Sequence, residues 1–480
     1  MAGIGSVDRP LVSDEPMSVA RAFVDDVGMV KGSRALWLVG GSWWVWTGGR
    51  WKVRTNEQME RELWRWMDGR WYGVTGKDGS VLRKLVPRTS TVMDVMRALQ
   101  AVCEARWDRT PLWVGVEGPD ARTCVAFEDV VVQVTGDGVQ VVRERDEKWL
   151  DSMVVPVLWD DKAECPRWMK ALDEWSRGDE KWKKLLQWWM GYCLLSKRSY
   201  AKWLLMQGKS RAGKGVIADV LRTMLGWESW FETGMGELGS EFGLDGIEHA
   251  RVMSISEFHE VDSALGAKVT RVLKNIVGED GVTVNAKYEK ARRVKVGAAP
   301  MVQSNLMPKL PNEGGGIGTK MLVLPFTVSF REGDGTFLPD FGLRDKLKAE
   351  MAGIARWALQ GAVELEAKGG LGWPEPDAAE RIRTGFRIKN NPLDAFLEAR
   401  FVRKDDGFVT SEALWGEWVK WKKENEVKMQ IGRNFLALRL EEESTWKIER
   451  SRKRIVVDGD EQQVRGMRGL GIRREQCDEV

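Results

Sequence analysis

Histidine is nearly missing from this chain of 480 residues: only His249 and His259 occur. Imidazole is a principal ligand of catalytic zinc, so a histidine-based metal centre is not expected. Cysteine is almost as sparse. Cys103, Cys124, Cys165, Cys193 and Cys477 are scattered, with no C-x-x-C pair. This excludes zinc-ribbon spacing and a disulfide framework, and it points to a reducing cytoplasm. No stretch approaches the ~20 apolar residues that span a bilayer. Met1 to Pro16 is polar and contains acids, unlike a secretion signal. A large net charge is lacking too: 74 basic against 71 acidic residues leave +3. A polyanionic partner would therefore be met by local clusters of cations. What remains is 43% hydrophobic and 30% charged, a composition of globular domains with real cores, and the length allows two to four of them. One residue is abundant: there are 26 tryptophans. Most are expected in cores, where an exposed few could stack on bases.

The chain is organised around Gly208-Lys209-Ser210-Arg211-Ala212-Gly213-Lys214-Gly215-Val216. An apolar run, Trp203 to Met206, precedes it and reads as a buried strand. Val216 to Leu221 follows with helical apolar spacing. Strand, glycine-rich turn, Gly-Lys, helix is the context of a phosphate-binding loop. Backbone N–H groups and the positive helix end would hold phosphates, with Lys214 on the β and γ oxygens. Gly215 stands where Ser or Thr ordinarily meets Mg²⁺. Downstream, Arg251 to Glu257 reads as an apolar strand ending on a carboxylate. Glu257 there could polarise an attacking water and help hold Mg²⁺, with Glu260 and Asp262 as secondary acids. Ala298 to Asn305 is another strand, and the Asn305 amide could orient water against a γ-phosphate.

Taken in order, residues 1–16 read as a flexible tail and 17–160 as a small α/β domain. Ala35–Val39, Trp43–Trp46 and Trp51–Val53 read as strands joined by glycine turns. Their tryptophan row fits a half-buried sheet packed on helices better than a nucleic-acid platform. Helices are expected over Glu57–Met67 and Thr91–Trp107, and strands over Cys124–Phe127, Val130–Val134 and Val139–Val142. Residues 161–370 form the nucleotide-binding unit with a helical lead-in, Pro166–Leu172 and Trp182–Met190, the latter ending near Gly191. Within it, Val282–Val296 reads as a basic hairpin: five residues are Lys or Arg and one is Glu. Lys287, Tyr288, Lys290, Arg292 and Arg293 would suit a phosphate backbone with one stacked base; a solvated hairpin face is the alternative. Residues 371–390 read as a linker. Residues 391–475 hold three helices and a hairpin, the pattern of a winged helix, with Arg450, Arg452, Lys453 and Arg454 in the wing. Duplex binding and protein docking are both open for it.

Together these motifs resemble the superfamily 3 helicases, and most closely the phage and plasmid primase-helicase branch that includes poxvirus primase-helicases. Gly208–Gly215 is similar to its first nucleotide motif, Ser254–Glu257 to its second and Gln303–Pro308 to its asparagine motif. Gly353–Gly361 is similar to a segment closing the motor. The resemblance implies an α/β fold: an AAA+-like P-loop NTPase motor, a smaller α/β domain before it and a C-terminal winged helix after it. It implies ATP and Mg²⁺, a homo-oligomeric ring, usually a hexamer, and ATP-dependent helicase activity along single-stranded DNA in the host-cell cytoplasm. Origin duplex and other replication proteins are further partners it allows. Lys320 stands where the family usually has the arginine that reaches the neighbouring subunit's nucleotide; Arg331 is the other candidate. Two rival functions stay open, a primase-helicase and an origin-binding initiator that unwinds little. Residues 1–160 contain no carboxylate pair with a neighbouring histidine, so primer synthesis is not expected.

Overall fold

A computed structural model describes residues 10–76, 79–107, 109–256, 263–285, 291–310, 316–331, 339–457 and 460–473. Among these, no helix is long and apolar enough to cross a membrane.

The leading unit opens with α1 (Pro16–Val27), then a meander of β1 (Leu36–Val39), β2 (Ser42–Trp46) and β3 (Trp51–Arg54). Helix α2 (Asn56–Met67) starts on a Thr55 capping box. Strands β4 (Trp71–Gly76) and β5 (Gly79–Lys84) form a hairpin that the sequence pattern did not suggest, and α3 (Thr89–Cys103) follows. The meander is buried on both faces, not one. Trp43 and Trp44 are both fully buried, Trp43 against α1, α2 and α3, and Trp44 in a separate cluster with Val39, Trp51 and Leu150. Successive strand residues point to opposite faces, so two consecutive buried tryptophans need cover on each. At the inner end of the stretch read as a tail, Leu11 forms a parallel bridge to Tyr72 and is buried. A second meander, β6 (Cys124–Ala126), β7 (Val130–Thr135) and β8 (Gly138–Glu144), sits before the lead-in helices.

Helices α4 (Pro166–Ser176) and α5 (Glu180–Leu194) come next. α5 does not stop at Gly191. The reason is a close helix crossing with α9 (Met351–Ala367): a Cβ on Gly191 would lie 2.4 Å from Ala362 N, and one on Gly361 would lie 2.3 Å from Gln187 O. Each glycine removes the side chain that would hold the two backbones apart.

The central sheet is built from β9 (Trp203–Gly208), β10 (Trp230–Thr233), β11 (Val252–Ile255), β14 (Ala299–Ser304) and β15 (Met321–Phe326). Between them lie α6 (Lys214–Leu225), α7 (Ser263–Val277) and the hairpin β12 (Gly281–Val284) and β13 (Arg292–Lys295). All five strands are parallel, in the order β10-β11-β14-β9-β15. Both faces are covered, as parallel sheets require. Leu204 and Met206 pack with α4, α5, α6 and α9, whereas Trp203 and Leu205 pack with α7 on the other face. The chain leaves β9 for the far edge, steps back to β14 and then crosses to β15. The strand order thus reverses beside β9, and ligands of open α/β sheets bind outside the carboxyl ends of strands at such a reversal.

After α8 (Leu343–Ala349) and α9, the stretch read as a linker is helical in its second half: α10 (Ala379–Asn390). Ala379 and Phe386 are buried against the sheet, with Phe386 edge-on to Trp203. The C-terminal unit comprises α11 (Pro392–Arg400), β16 (Phe401–Thr410), α12 (Ser411–Glu424), α13 (Leu436–Glu443), β17 (Glu449–Val457) and β18 (Asp460–Ile472). β16 was not legible as a strand, because Arg403 to Asp406 are exposed and only its ends are buried. The three strands form an antiparallel sheet in the order β16-β18-β17.

Candidate nucleotide site

Residues 208–213 connect the carboxyl end of β9 to the first turn of α6. Two glycines make the turn possible. Gly208 has φ +147°, and a Cβ there would lie 2.0 Å from Phe326 O. Gly213 has φ +100°, and its Cβ would meet the Trp175 indole at 2.4 Å. Arg211, at φ 55°, adopts the left-handed conformation without being glycine, which costs energy unless neighbours hold it. They do: Arg211 O accepts from Phe330 N at 3.0 Å, and Ser210 O accepts from Ser329 Oγ at 3.3 Å. Lys209 N donates to Phe326 O at 3.1 Å. The loop is therefore braced by β15 and the segment after it.

Lys214 is the cation inside this brace, 9% exposed. Its Nζ donates to Gly208 O at 2.9 Å, Lys209 O at 2.7 Å and Asn305 Oδ1 at 2.8 Å, and lies 5.8 Å from the centre of the Phe326 ring. Burial pushes its pKa down to about 8, from 10.5. All three acceptors are neutral, so among the described residues the charge is met by dipoles. A phosphate oxygen would supply the missing anion. Asn305 follows β14, the strand adjacent to β9, and that adjacency brings it to Lys214. Sequence reasoning named both residues; their contact is a tertiary fact.

The other named residues fall in different places. Ser210 Oγ faces Arg331 Nη2 at 3.5 Å. Ala212 is buried, and Val216 N donates to Gly213 O at 3.0 Å. A Cβ on Gly215 would meet only Arg344 Nη2, 4.0 Å away. Arg344 itself pairs with Asp219 of α6 at 2.9 Å. Arg331 and Arg344 thus bring two guanidiniums to the chain's own loop. Arg344 carried no signal in the sequence, since it sits on a later helix at no motif spacing. Lys320 precedes β15, and its carbonyl accepts from Trp203 N. It is at the amino end of the sheet, and six strand residues at about 3.3 Å each separate it from its own loop. Glu257, Glu260 and Asp262 lie outside the described residues, as do Lys287, Tyr288 and Lys290. Of the basic hairpin, Arg292 is half-buried and donates through Nε to Glu248 at 3.1 Å, while Arg293 is exposed.

The loop fits a nucleotide's phosphates: its glycines permit the tight turn, and among the described residues its desolvated lysine is held by neutral acceptors. It does not by itself fit Mg²⁺. Gly215 and Val216 bring no hydroxyl, and among the described residues no group of three or more His, Cys, Asp or Glu side chains gathers.

The fold has counterparts among solved structures. The A-form apo structure of the NrS-1 C-terminal region matches 95% of this chain and 100% of its own, with TM-score 0.52 and 12% identity. The two chains share a fold. A second apo structure of the NrS-1 C-terminal region, residues 305–718, covers 96% of this chain and 100% of its own at TM-score 0.49 and 11% identity. A family model, described as a family of unknown function (DUF5906), matches residues 206–317. That span begins in β9 and runs beyond Asn305, so it contains the loop, the lysine and the asparagine. No curated protein matches the sequence.

Proposed function

We propose that this chain is an ATP-driven DNA helicase serving replication of a phage or related mobile element. One observation carries the reading: a desolvated lysine, held in a glycine-braced loop at the order reversal of a parallel sheet, touches an asparagine on the next strand. Lys214 would bind the β- and γ-phosphates. Phosphate binding would draw Nζ from Asn305 Oδ1 and leave that amide to orient the attacking water. Glu257, just past β11, would take the water's proton. Arg331 would add a cation on the same subunit. Lys320, far from its own loop, would reach a neighbour's phosphates in a ring of subunits, as a point charge without arginine's fork. Glu257, with the phosphates and water, would hold Mg²⁺, which would supply neutralisation of phosphate charge. The basic hairpin, through Arg293 and the residues at its tip, would contact single-stranded DNA.

Lys214→Ala tests this reading. Nucleotide binding, followed with a fluorescent ATP analogue, should be lost. DNA-stimulated hydrolysis and unwinding of a forked substrate should fall by at least ~100-fold. Normal hydrolysis by that variant would remove the loop from the mechanism.

A further inference from the structure

The β17–β18 ribbon carries an arrangement that folding alone does not favour. In its register Arg452 lies directly opposite Arg465, with Arg454 opposite Gln463 and Arg450 opposite Met467. Directly opposed residues share a face of the sheet, as do residues two apart. Arg450, Arg452, Arg454 and Arg465 therefore project from one face. Met467 on that face is buried in the unit's core, and Arg450 is bound by Glu441 of α13, so it is the face that α13 covers at its base. Further out, Arg452, Arg454 and Arg465 are exposed. Among the residues whose side chains are described, which leaves out Glu461 at the tip of the same face, none of them has an acidic partner, in contrast to Arg450. Like charges directly opposed destabilise a strand pair. Two arginines about 5 Å apart with a third beside them form a site for more than one anion.

We propose that this ribbon face binds the phosphate backbone of duplex DNA, without reading bases. Two further observations select this partner. Single-strand platforms depend on aromatic side chains that stack on bases, and residues 449–473 contain none. A helix that enters a groove must tolerate the phosphates beside it. The last turn of α13 carries Glu441, Glu442 and Glu443. Glu442 and Glu443 are exposed, Glu443 paired with Arg439, so that end of the helix offers phosphates no free cation and leaves the arginines as the contact. The inference stands on the C-terminal unit and does not require the nucleotide site.

The test uses the full-length chain without nucleotide and a labelled duplex of arbitrary sequence, with a single strand of equal length alongside. Anisotropy titrations over a range of salt give affinity and salt slope. Arg452→Glu with Arg465→Glu should lower duplex affinity at least ~10-fold. It should reduce the slope by about 0.9 for each phosphate no longer neutralised and should change single-strand affinity little. Arg97→Glu, on α3, changes the net charge as much as Arg452→Glu alone and should match the wild type. The single variant Arg452→Glu separates binding from folding, because it turns an opposed like-charge pair into an opposite-charge one. Its melting temperature should hold or rise while duplex affinity falls. Unchanged duplex affinity and slope in the double variant would overturn the proposal and leave an acidic protein surface as the partner of this face. Equal losses on duplex and single strand would overturn the assignment to duplex. Lys214→Ala should bind duplex like the wild type, so failure of the nucleotide reading would not be mistaken for failure of this one.

Discussion

Lys214 concentrates the chemistry of this molecule in one titrating group. Its pKa is lowered to about 8 because burial strips water from the ammonium, and the described acceptors that replace it are neutral. A lysine whose folded pKa lies below its unfolded value costs stability at neutral pH, and the cost disappears as pH rises through the unfolded value near 10.5. An arriving phosphate reverses the shift by supplying the anion. Nucleotide binding near pH 8 should therefore take up protons. Calorimetry in two buffers of different ionisation enthalpy should show uptake of a fraction of a proton near pH 8, with little at pH 6.5, where Lys214 is already charged. If binding at pH 8 releases no buffer-dependent heat, the lysine does not meet the phosphate. Gly208 and Gly213 belong to this scale too, since backbone and indole occupy the space their side chains would need.

At the scale of elements, the decisive contact is the crossing of α5 and α9. The two helices approach through Gly191 and Gly361, and they floor the sheet face that carries the loop's helix. Enlarging either glycine forces the backbones apart. Gly361→Leu should destabilise the chain by about 1–3 kcal/mol or more, the scale of overpacking in a filled core. Gly416→Ala offers the contrast. It lies within α12 with nothing within 4 Å of its missing Cβ, so helix propensity should stabilise it by up to about 1 kcal/mol. Thermal unfolding of both variants checks the pair, and a neutral Gly361→Leu would show that the crossing is slack. Helix ends show the same dependence on distant partners. α4 has no side-chain cap of its own, and Glu350 supplies one by accepting from Arg167 N and Trp168 N at 2.9 Å each.

At the scale of the whole molecule, buried polar contacts tie the leading unit to the sheet. Asp151 bonds Arg251, at the start of β11, at 2.6 Å with both side chains buried. Within the nucleotide-binding unit, Arg198 donates to the carbonyls of Tyr192, Leu195, Arg251 and Gly297 beside that pair. His249 meets Ser42 Oγ at 3.2 Å and lies edge-on to Trp44, both on β2. Burial drives the His249 pKa down to about 4; Glu248 opposes that shift and Arg292 reinforces it. A depressed histidine pKa stabilises the fold above the unfolded value near 6.5. That stability is lost as pH falls from there to about 4, where the folded form charges as well. Stability should fall across this window, by on the order of 3 kcal/mol at its acid end, and the melting temperature should fall with it. His249→Gln should flatten the profile, and an unchanged pH dependence in that variant would assign the acid sensitivity elsewhere.

What the sequence determined by itself was local. Gly-Lys between an apolar strand and a helical repeat required a tight turn at a helix start, and that turn is present at 208–214. Apolar runs marked β9, β11 and β14 of the five central strands, because a strand covered on both faces is apolar throughout, and helical apolar spacing marked α5 and α6. Gly191 read as a helix stop and Ala379–Asn390 as a linker, since burial against another element outweighs local propensity and burial is invisible along the chain. The strand order, which sets Asn305 beside Lys214, was likewise undetermined, as were Arg344 beside Gly215 and the opposition of Arg452 and Arg465. These juxtapositions depend on which elements become neighbours. Packing two faces of one sheet decides that, and no spacing along the chain encodes it.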